Sequence, residues 1–419
     1  MLIEATSQTT LGHVYILSGN DDLHIGAGIT ITSLDSDAVI TFSGTHQIVV
    51  EGHVVAQDDG INTIGTDTAQ TVIIQVGGSV TAGGDGVVDD ADGVILDGIG
   101  SRLENHGSIV AFGTAASLFV RDGGTTTVIN TGTMIGDRFG IWNKFGSGTL
   151  EFINSGTLES AGRAFQGNIY TDHVTNSGVI RGGIDLNGGD DLYDGRGGVV
   201  VGAIQGGDGN DRFILGNSAE TVQGGYGTDL LDFSYLTSSI TLDLSNAARN
   251  RGDAVLGDRY TSIENVTAGS GSDRLTGNAA DNGLNGGAGA DTLTGGDGND
   301  RLDGGKAKDY LVGGNGADTF VFSSWNGRGD VIADFTRYFD RIEIDAASFG
   351  YTGGVGTLSA DHFVIAADNL ALDANDYFIF NTTDQTLWFD RDGSGAREAL
   401  IVADLQSGAV LTAADIWLV

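Results

Sequence analysis

The chain has 419 residues, with 20 basic against 56 acidic side chains; its net charge of −36 excludes nucleic acid and anionic membranes as partners over most of the surface and makes cations the natural counterpart. There is no cysteine, which excludes a disulfide framework and thiol chemistry, and no proline, which removes slow X-Pro isomerisation from folding. No stretch approaches the ~20 apolar residues of a membrane span. The opening MLIEATSQTTLGHVYIL has neither the basic nor the apolar region of a secretory signal peptide.

From residue 1 to 185 the chain carries a loose repeat, clearest at Asn105-His-Gly-Ser-Ile, Asn130-Thr-Gly-Thr-Met, Asn154-Ser-Gly-Thr-Leu and Asn176-Ser-Gly-Val-Ile. Each glycine opens a short apolar strand. Extended backwards, the series Gly28, Gly52, Gly78, Gly107, Gly132, Gly156 and Gly178 has intervals of 22 to 29 residues. That spacing suits one coil of a parallel β-helix with three short faces, and segments such as TVIIQV and TLEFIN have the β-branched and aromatic content of its strands. Stacked Asn, Ser or Thr at the corners are expected to hydrogen-bond from coil to coil. Within this region Asp85, Asp89, Asp90, Asp92 and Asp97 form an acidic cluster that reads as a solvated turn or cation site, in preference to the paired carboxylates of a polysaccharide-active enzyme. His106 and His173 read as corner residues.

A degenerate block, NGGDDLYDG at 187–195, introduces a tighter repeat. GGDGNDRFI, LGNSAETVQ and GGYGTDLLD then span Gly206 to Asp232, with Phe213, Val222 and Leu231 in an inward slot and Glu220 where Asp is expected. After a strand-rich insert at 233–267, six nine-residue blocks run from Ala268 to Val321 on the pattern Gly-Gly-x-Gly-x-Asp-x-Leu-x. Their apolar slot holds Leu275, Leu284, Leu293, Leu302, Leu311 and Phe320. The sixth position holds Asp273, Asp291, Asp300, Asp309 and Asp318, broken once by Asn282 with Asp281 one place early.

Nine residues divide into a six-residue turn and a three-residue strand whose middle side chain points inward. Glycine lets the turn reach positive φ and expose its carbonyls, and calcium takes six to eight oxygens of the kind that carbonyls and Asp supply. Two blocks make a coil, so Asp273, Asp291 and Asp309 should stack on one edge and Asp300 and Asp318 on the other. The candidate calcium ligands are Asp208, Asp211, Asp229, Asp273, Asp291, Asp297, Asp300, Asp309 and Asp318. A core of single leucines is thin, so ordering so glycine-rich a chain is expected to require the ions.

These blocks resemble the nonapeptide repeats of RTX proteins, which bacteria export by type I secretion. The resemblance extends from about Leu186 to Val419: the insert is similar to that of many such proteins, GDVIADFTRYFDRIEID (Gly329 to Asp345) resembles the segment capping the last coil, and the tail LTAADIWLV resembles an uncleaved export signal. The 1–185 region is similar in style to the passenger β-helices of bacterial surface proteins. The expectation is an all-β chain: a parallel β-helix (1–185) continuing into a calcium-binding RTX β-roll (blocks at 186–232 and 268–321), closed by a β-rich cap at 322–419. One elongated rod is the expected result.

For function, HExxH, GxSxG and Walker motifs are absent. Asp390, Asp392, Ser394 and Gly395 match half of an EF-hand loop, but Ile401 stands where its bidentate Glu belongs. A hairpin turn is the better reading, with Trp388 and Phe389 feeding the C-terminal core. The expectation is a non-enzymatic, extracellular protein that folds on calcium and self-associates in a filament, surface layer or biofilm matrix. Its partners would be the type I secretion machinery and further copies of itself. The alternative is an adhesin for cell-surface polysaccharide using exposed aromatics such as Trp142, Tyr170 or Trp325, and a polysaccharide lyase or epimerase ranks third.

Overall fold

The computed structural model describes residues 1–63, 68–83, 91–121, 123–324, 329–393 and 398–419. The chain divides into two compact units, Met1–Asp229 with Arg259–Ser262, and Leu230–Asp258 with Ile263–Val419. Both are built almost wholly of short strands, and no helix among the described residues is long and apolar enough to cross a membrane.

The first unit is a parallel β-solenoid. Its coils carry strands on three faces, as in the coil of Arg102–Asn105, Ser108–Ala111 and Thr114–Phe119, and each strand pairs in parallel with its counterparts in the adjacent coils. Alternation in most strands sends every second side chain inward, although Val94–Asp97 and Thr114–Phe119 are buried almost throughout. On the first face one stack runs Leu23, Ile48, Val72, Leu103, Val128, Phe152, Val174, Tyr193 and Phe213, all buried. Two residues along, Ile25, Val50 and Ile74 form a second apolar stack. From the next coil on, that position is asparagine: Asn105, Asn130, Asn154 and Asn176.

The Asn-x-Gly corners behave as the spacing predicts. A Cβ on Gly132 would lie 2.1 Å from the Gly107 carbonyl oxygen, and one on Gly156 would lie 2.1 Å from that of Gly132, so only glycine lets the corners stack. The register departs from expectation at its start. Gly52 sits over the carbonyl of Ile29, and Gly28 lies one residue early in a positive-φ turn. The coil then narrows. The long strand Val179–Gly188 follows two faces and pairs with both Val199–Val201 and Ala203–Asp208, after which a turn of chain needs only Arg212–Ile214 and Thr221–Tyr226.

The second unit is a two-faced roll. One face stacks Leu231, Val266, Leu284, Leu302, Phe320, Ile342 and Ile416; the other stacks Leu242, Leu275, Leu293, Leu311, Ile332 and Leu405, all buried. Every leucine or phenylalanine of the apolar slot therefore points inward. The 329–345 segment is not the cap that its resemblance implies: Asp330–Ile332 and Arg341–Ile344 add a further parallel coil. Its Asp-x-apolar strand openings repeat those of the nonapeptide blocks, so it pairs as they do. Closure comes later. Leu400–Leu405 continues one face in parallel, and Thr386–Phe389 and Phe378–Asn381 then turn the sheet antiparallel. The half EF-hand is thus a hairpin connection, as expected, with Phe389 buried against Phe349 and Phe378 and Trp388 half-buried; Ser394 and Gly395 lie outside the described residues.

Candidate metal centre

The sixth-position aspartates stack as the eighteen-residue period requires. The backbone N–H of Asp273 donates to Asp291 Oδ1 at 2.6 Å, that of Asp291 to Asp309 Oδ1 at 2.7 Å, and that of Asp300 to Asp318 Oδ1 at 2.9 Å. In the first unit Asp172 donates to Asp191 at 2.6 Å, Asp191 to Asp211 at 2.9 Å and Asp211 to Asp229 at 2.8 Å. One carboxylate oxygen per residue is spent on the coil before it. The other is left over: Oδ2 of Asp191, Asp211, Asp273, Asp291, Asp300, Asp309 and Asp318 is buried without a hydrogen-bond partner.

Burying these carboxylates penalises the charged form. Burial pushes Asp291 and Asp300 up to about 7 against the lowering effect of the N–H each accepts, and Asp211 and Asp309 to about 6. Asp191 rises to about 9, and Asp273 and Asp318 also rise, all from burial first. A carboxylate in this position accepts a proton or a cation.

Beside Asp211, Asp291, Asp300, Asp309 and Asp318 a glycine leaves space that fits a hard cation, whereas Leu186 and Ala268 stand in the corresponding place before Asp191 and Asp273. A Cβ on Gly286 would fall 2.5 Å from Asp291 Oδ2 and 2.8 Å from the Gly304 carbonyl oxygen, and one on Gly295 would fall 2.1 Å from Asp300 Oδ2 and 2.6 Å from the Gly313 carbonyl oxygen. Gly206 stands in the same relation to Asp211 Oδ2 and the Gly224 carbonyl. Carboxylate and carbonyl oxygens from stacked turns therefore converge where glycine leaves room. The second and fourth turn positions take positive φ, as at Gly296 (125°) and Gly298 (116°). Ala307 adopts φ 85° where the pattern calls for glycine.

The remaining candidates have different surroundings. Asp208 and Asp297 are exposed, and Asp297 accepts a hydrogen bond from Asn315 one coil on at 2.8 Å. Asn282 occupies an aspartate position and satisfies itself: its Oδ1 accepts from the Asn278 N–H at 2.7 Å and its Nδ2 donates to the Glu264 carbonyl at 3.0 Å. Asp281 lies on the exposed outside, accepting from the Asn299 N–H. Glu220 is buried at its ladder position.

Several ladder residues fall outside the nonapeptide pattern. Asp330 Oδ1 accepts from the Asp309 N–H and Asp340 Oδ1 from the Asp318 N–H, both at 2.9 Å. Asp340 has no spare oxygen, because its Oδ2 accepts from the Thr336 N–H. Asp172 likewise has both oxygens partnered, by Asn143 and by the Asn168 N–H. All share the opening Asp-x-apolar, in Asp172-His-Val, Asp191-Leu-Tyr, Asp330-Val-Ile and Asp340-Arg-Ile. That signal was available without the glycines.

In the wide coils, Asp92 and Asp97 are each engaged by a cation: Lys144 lies 3.1 Å from Asp92, and Arg121 holds Asp97 through two nitrogens at 2.6 and 2.5 Å. Asp85, Asp89 and Asp90 lie outside the described residues. Asp37, Asp58 and Asp59 bring carboxylate oxygens within 4.8 Å of one another, and burial first and then neighbouring charge push Asp59 up to about 8. Both oxygens of Asp37 and of Asp59 already accept hydrogen bonds from the chain. His106 is half-buried at its corner, between Glu104 and Thr131, and His173 is half-buried in a strand.

Comparison with known proteins agrees with this geometry. No curated protein matches the chain. The RTX calcium-binding nonapeptide repeat matches in four copies, over residues 203–232, 261–293 and 285–320. The turns that leave buried carboxylate oxygens beside glycine carbonyls in these segments are RTX calcium-binding repeats.

Proposed function

We propose that this chain is an extracellular structural protein whose roll is a calcium-driven folding device. The observation that carries this reading is the row of buried Asp Oδ2 atoms without partners. Without calcium each turn must bury a charge, take up a proton or open; with calcium the same oxygens become ligands, and binding free energy becomes folding free energy. Before export the low calcium of a cell interior leaves the acidic chain extended, and outside the cell the turns fill.

Two further observations support the reading. Leu411, Ile416 and Leu418, in the tail that resembles an export signal, are buried in the folded roll, so a type I exporter would meet them only on the unfolded chain. The cap sheet ends on Phe363–Ala366, which among the described residues pairs on one side only, with Ile365, Leu370 and Leu372 more than half exposed. Such an edge is a route to association between copies, in a filament, surface layer or matrix. Calcium titration followed by circular dichroism, sedimentation and electron microscopy tests both parts. Folding and higher assemblies should appear together on calcium addition; folded monomers alone would sink the assembly half, and folding without calcium would sink the whole.

A further inference from the structure

The first unit carries a cleft of about 480 Å³ with no role in the calcium-binding turns. It is walled by the strand Phe139–Phe145 and the turn after Thr157–Gln166, and its lining includes Phe139, Trp142, Phe145 and Tyr170. Phe145, Ile169 and Tyr170 are 67%, 68% and 43% exposed, an apolar concentration on an otherwise acidic chain. The ring of Trp142 is held in place, 4.9 Å from Phe139 with Lys144 and Arg138 over it at 4.8 and 5.3 Å.

Between the rings the lining is amide. Asn143, Gln166 and Asn168 all border the cleft, and the Asn143 carbonyl oxygen is buried without a partner while its amide nitrogen donates to Asp172. Aromatic faces beside amide donors and acceptors match a pyranose, which presents C–H groups on its faces and hydroxyls around its edge. Charge narrows the class further. Lys144, the cation lining the cleft, is already neutralised by Asp92 at 3.1 Å, and a chain of net charge −36 repels uronates.

We infer that the Trp142–Tyr170 cleft binds a neutral oligosaccharide through ring stacking and amide hydrogen bonds. This reading is independent of calcium-driven assembly, since no aspartate with a spare oxygen lines the cleft.

The test is calorimetric titration of the full chain, in calcium, with gluco-, xylo-, manno- and galacto-oligosaccharides and with oligogalacturonate and oligoalginate. At least one neutral series should bind, and Tyr170→Ala and Trp142→Ala should each weaken it roughly tenfold. Tyr170 is exposed enough that its variant should keep the wild-type circular dichroism, so the test survives if the Trp142 variant misfolds. The inference is overturned if no neutral series binds at millimolar ligand, if only the uronates bind, or if Tyr170→Ala leaves binding intact. It also fails if Tyr170→Ala abolishes association between copies while no sugar binds, which would make the cleft a protein contact.

Discussion

The wide solenoid and the narrow roll ladder their corners with side chains that differ by one atom, set at opposite ends of a strand, as Asp172 and Asn176 are in the strand Asp172–Asn176. In the wide coils Asn105 Nδ2 donates to Asn130 Oδ1, Asn130 to Asn154 and Asn154 to Asn176, each at 2.8 Å. An amide is both donor and acceptor, so the ladder is satisfied from residue to residue, with only its end atoms Asn105 Oδ1 and Asn176 Nδ2 left over, and carries no charge. In the roll an ionised aspartate only accepts. One oxygen joins the ladder and the other is stranded, which leaves the corner open to a proton or a cation. The comparison implies that calcium dependence resides in the roll, while the asparagine-cornered coils fold on protein contacts alone.

Chelation should give the largest effect. Hydrogen exchange in excess chelator should show protection lost across 263–344 and retained across the asparagine-cornered coils at 102–176; uniform loss would break the comparison.

Next is pH. In the metal-free roll the folded pKa values of Asp291 and Asp300, about 7, lie above the ordinary carboxyl value of 3.8. The folded state thus holds more protons, and this stabilisation is full below the unfolded pKa and lost as pH rises through the folded one. Urea melts in chelator should show a more stable roll near about pH 5 than near about pH 8, whereas calcium affinity should rise over the same interval because the proton must leave. Equal melts at the two pH values would contradict the assigned burial penalty.

Converting the roll's corner to the amide type sharpens the contrast. Asp291→Asn with Asp309→Asn keeps an Oδ1 acceptor for the ladder but removes two charges; Asn282 is the natural uncharged residue at such a position, although its Oδ1 accepts within its own turn. The variant should need several-fold more calcium to complete folding yet resist urea better in chelator at neutral pH; an unchanged calcium titration would show that neither carboxylate is a ligand. The converse change, Asn130→Ala, removes one of the two acceptors of Asn105 Nδ2, which keeps the Thr133 carbonyl, leaves Asn154 Oδ1 without its donor, and should cost about 1–3 kcal/mol in denaturant melts, with or without calcium. Smallest is Ala307→Gly, which relieves a left-handed alanine and should stabilise the calcium-bound roll by about 1 kcal/mol. A loss of stability there would mean that the alanine methyl contributes packing that outweighs its strain.

Much of the site was legible because strict period and chemistry coincide. Asp291, Asp300, Asp309 and Asp318, with Leu293, Leu302 and Leu311 two residues further on, could be placed on edges and slots by counting. Asp330 and Asp340 were missed because coils of 21 and 22 residues break the eighteen-residue count, although the ladder tolerates the extra length in its turns. The Asp37, Asp58 and Asp59 group was missed for a different reason. Its members meet only because coils of 22 to 29 residues, whose lengths no local pattern sets, happen to align them.

The sequence by itself determined the all-β class, the inward slots and the RTX calcium-binding repeats, since a nine-residue repeat dictates which backbone is free, which side chain is buried and which oxygen is offered. Tertiary stacking decided which carboxylate oxygen is spent on the adjacent coil and which is stranded. It also decided where the repeat stops being needed, because strand pairing enforces register between residues as near as Leu284 and Leu302 and as far apart as Thr221 and Arg259, whether or not their turns match the pattern. Trp142 and Tyr170 share a cleft for the same reason: they lie on successive coils, and neighbourhood in a solenoid is set by coil length.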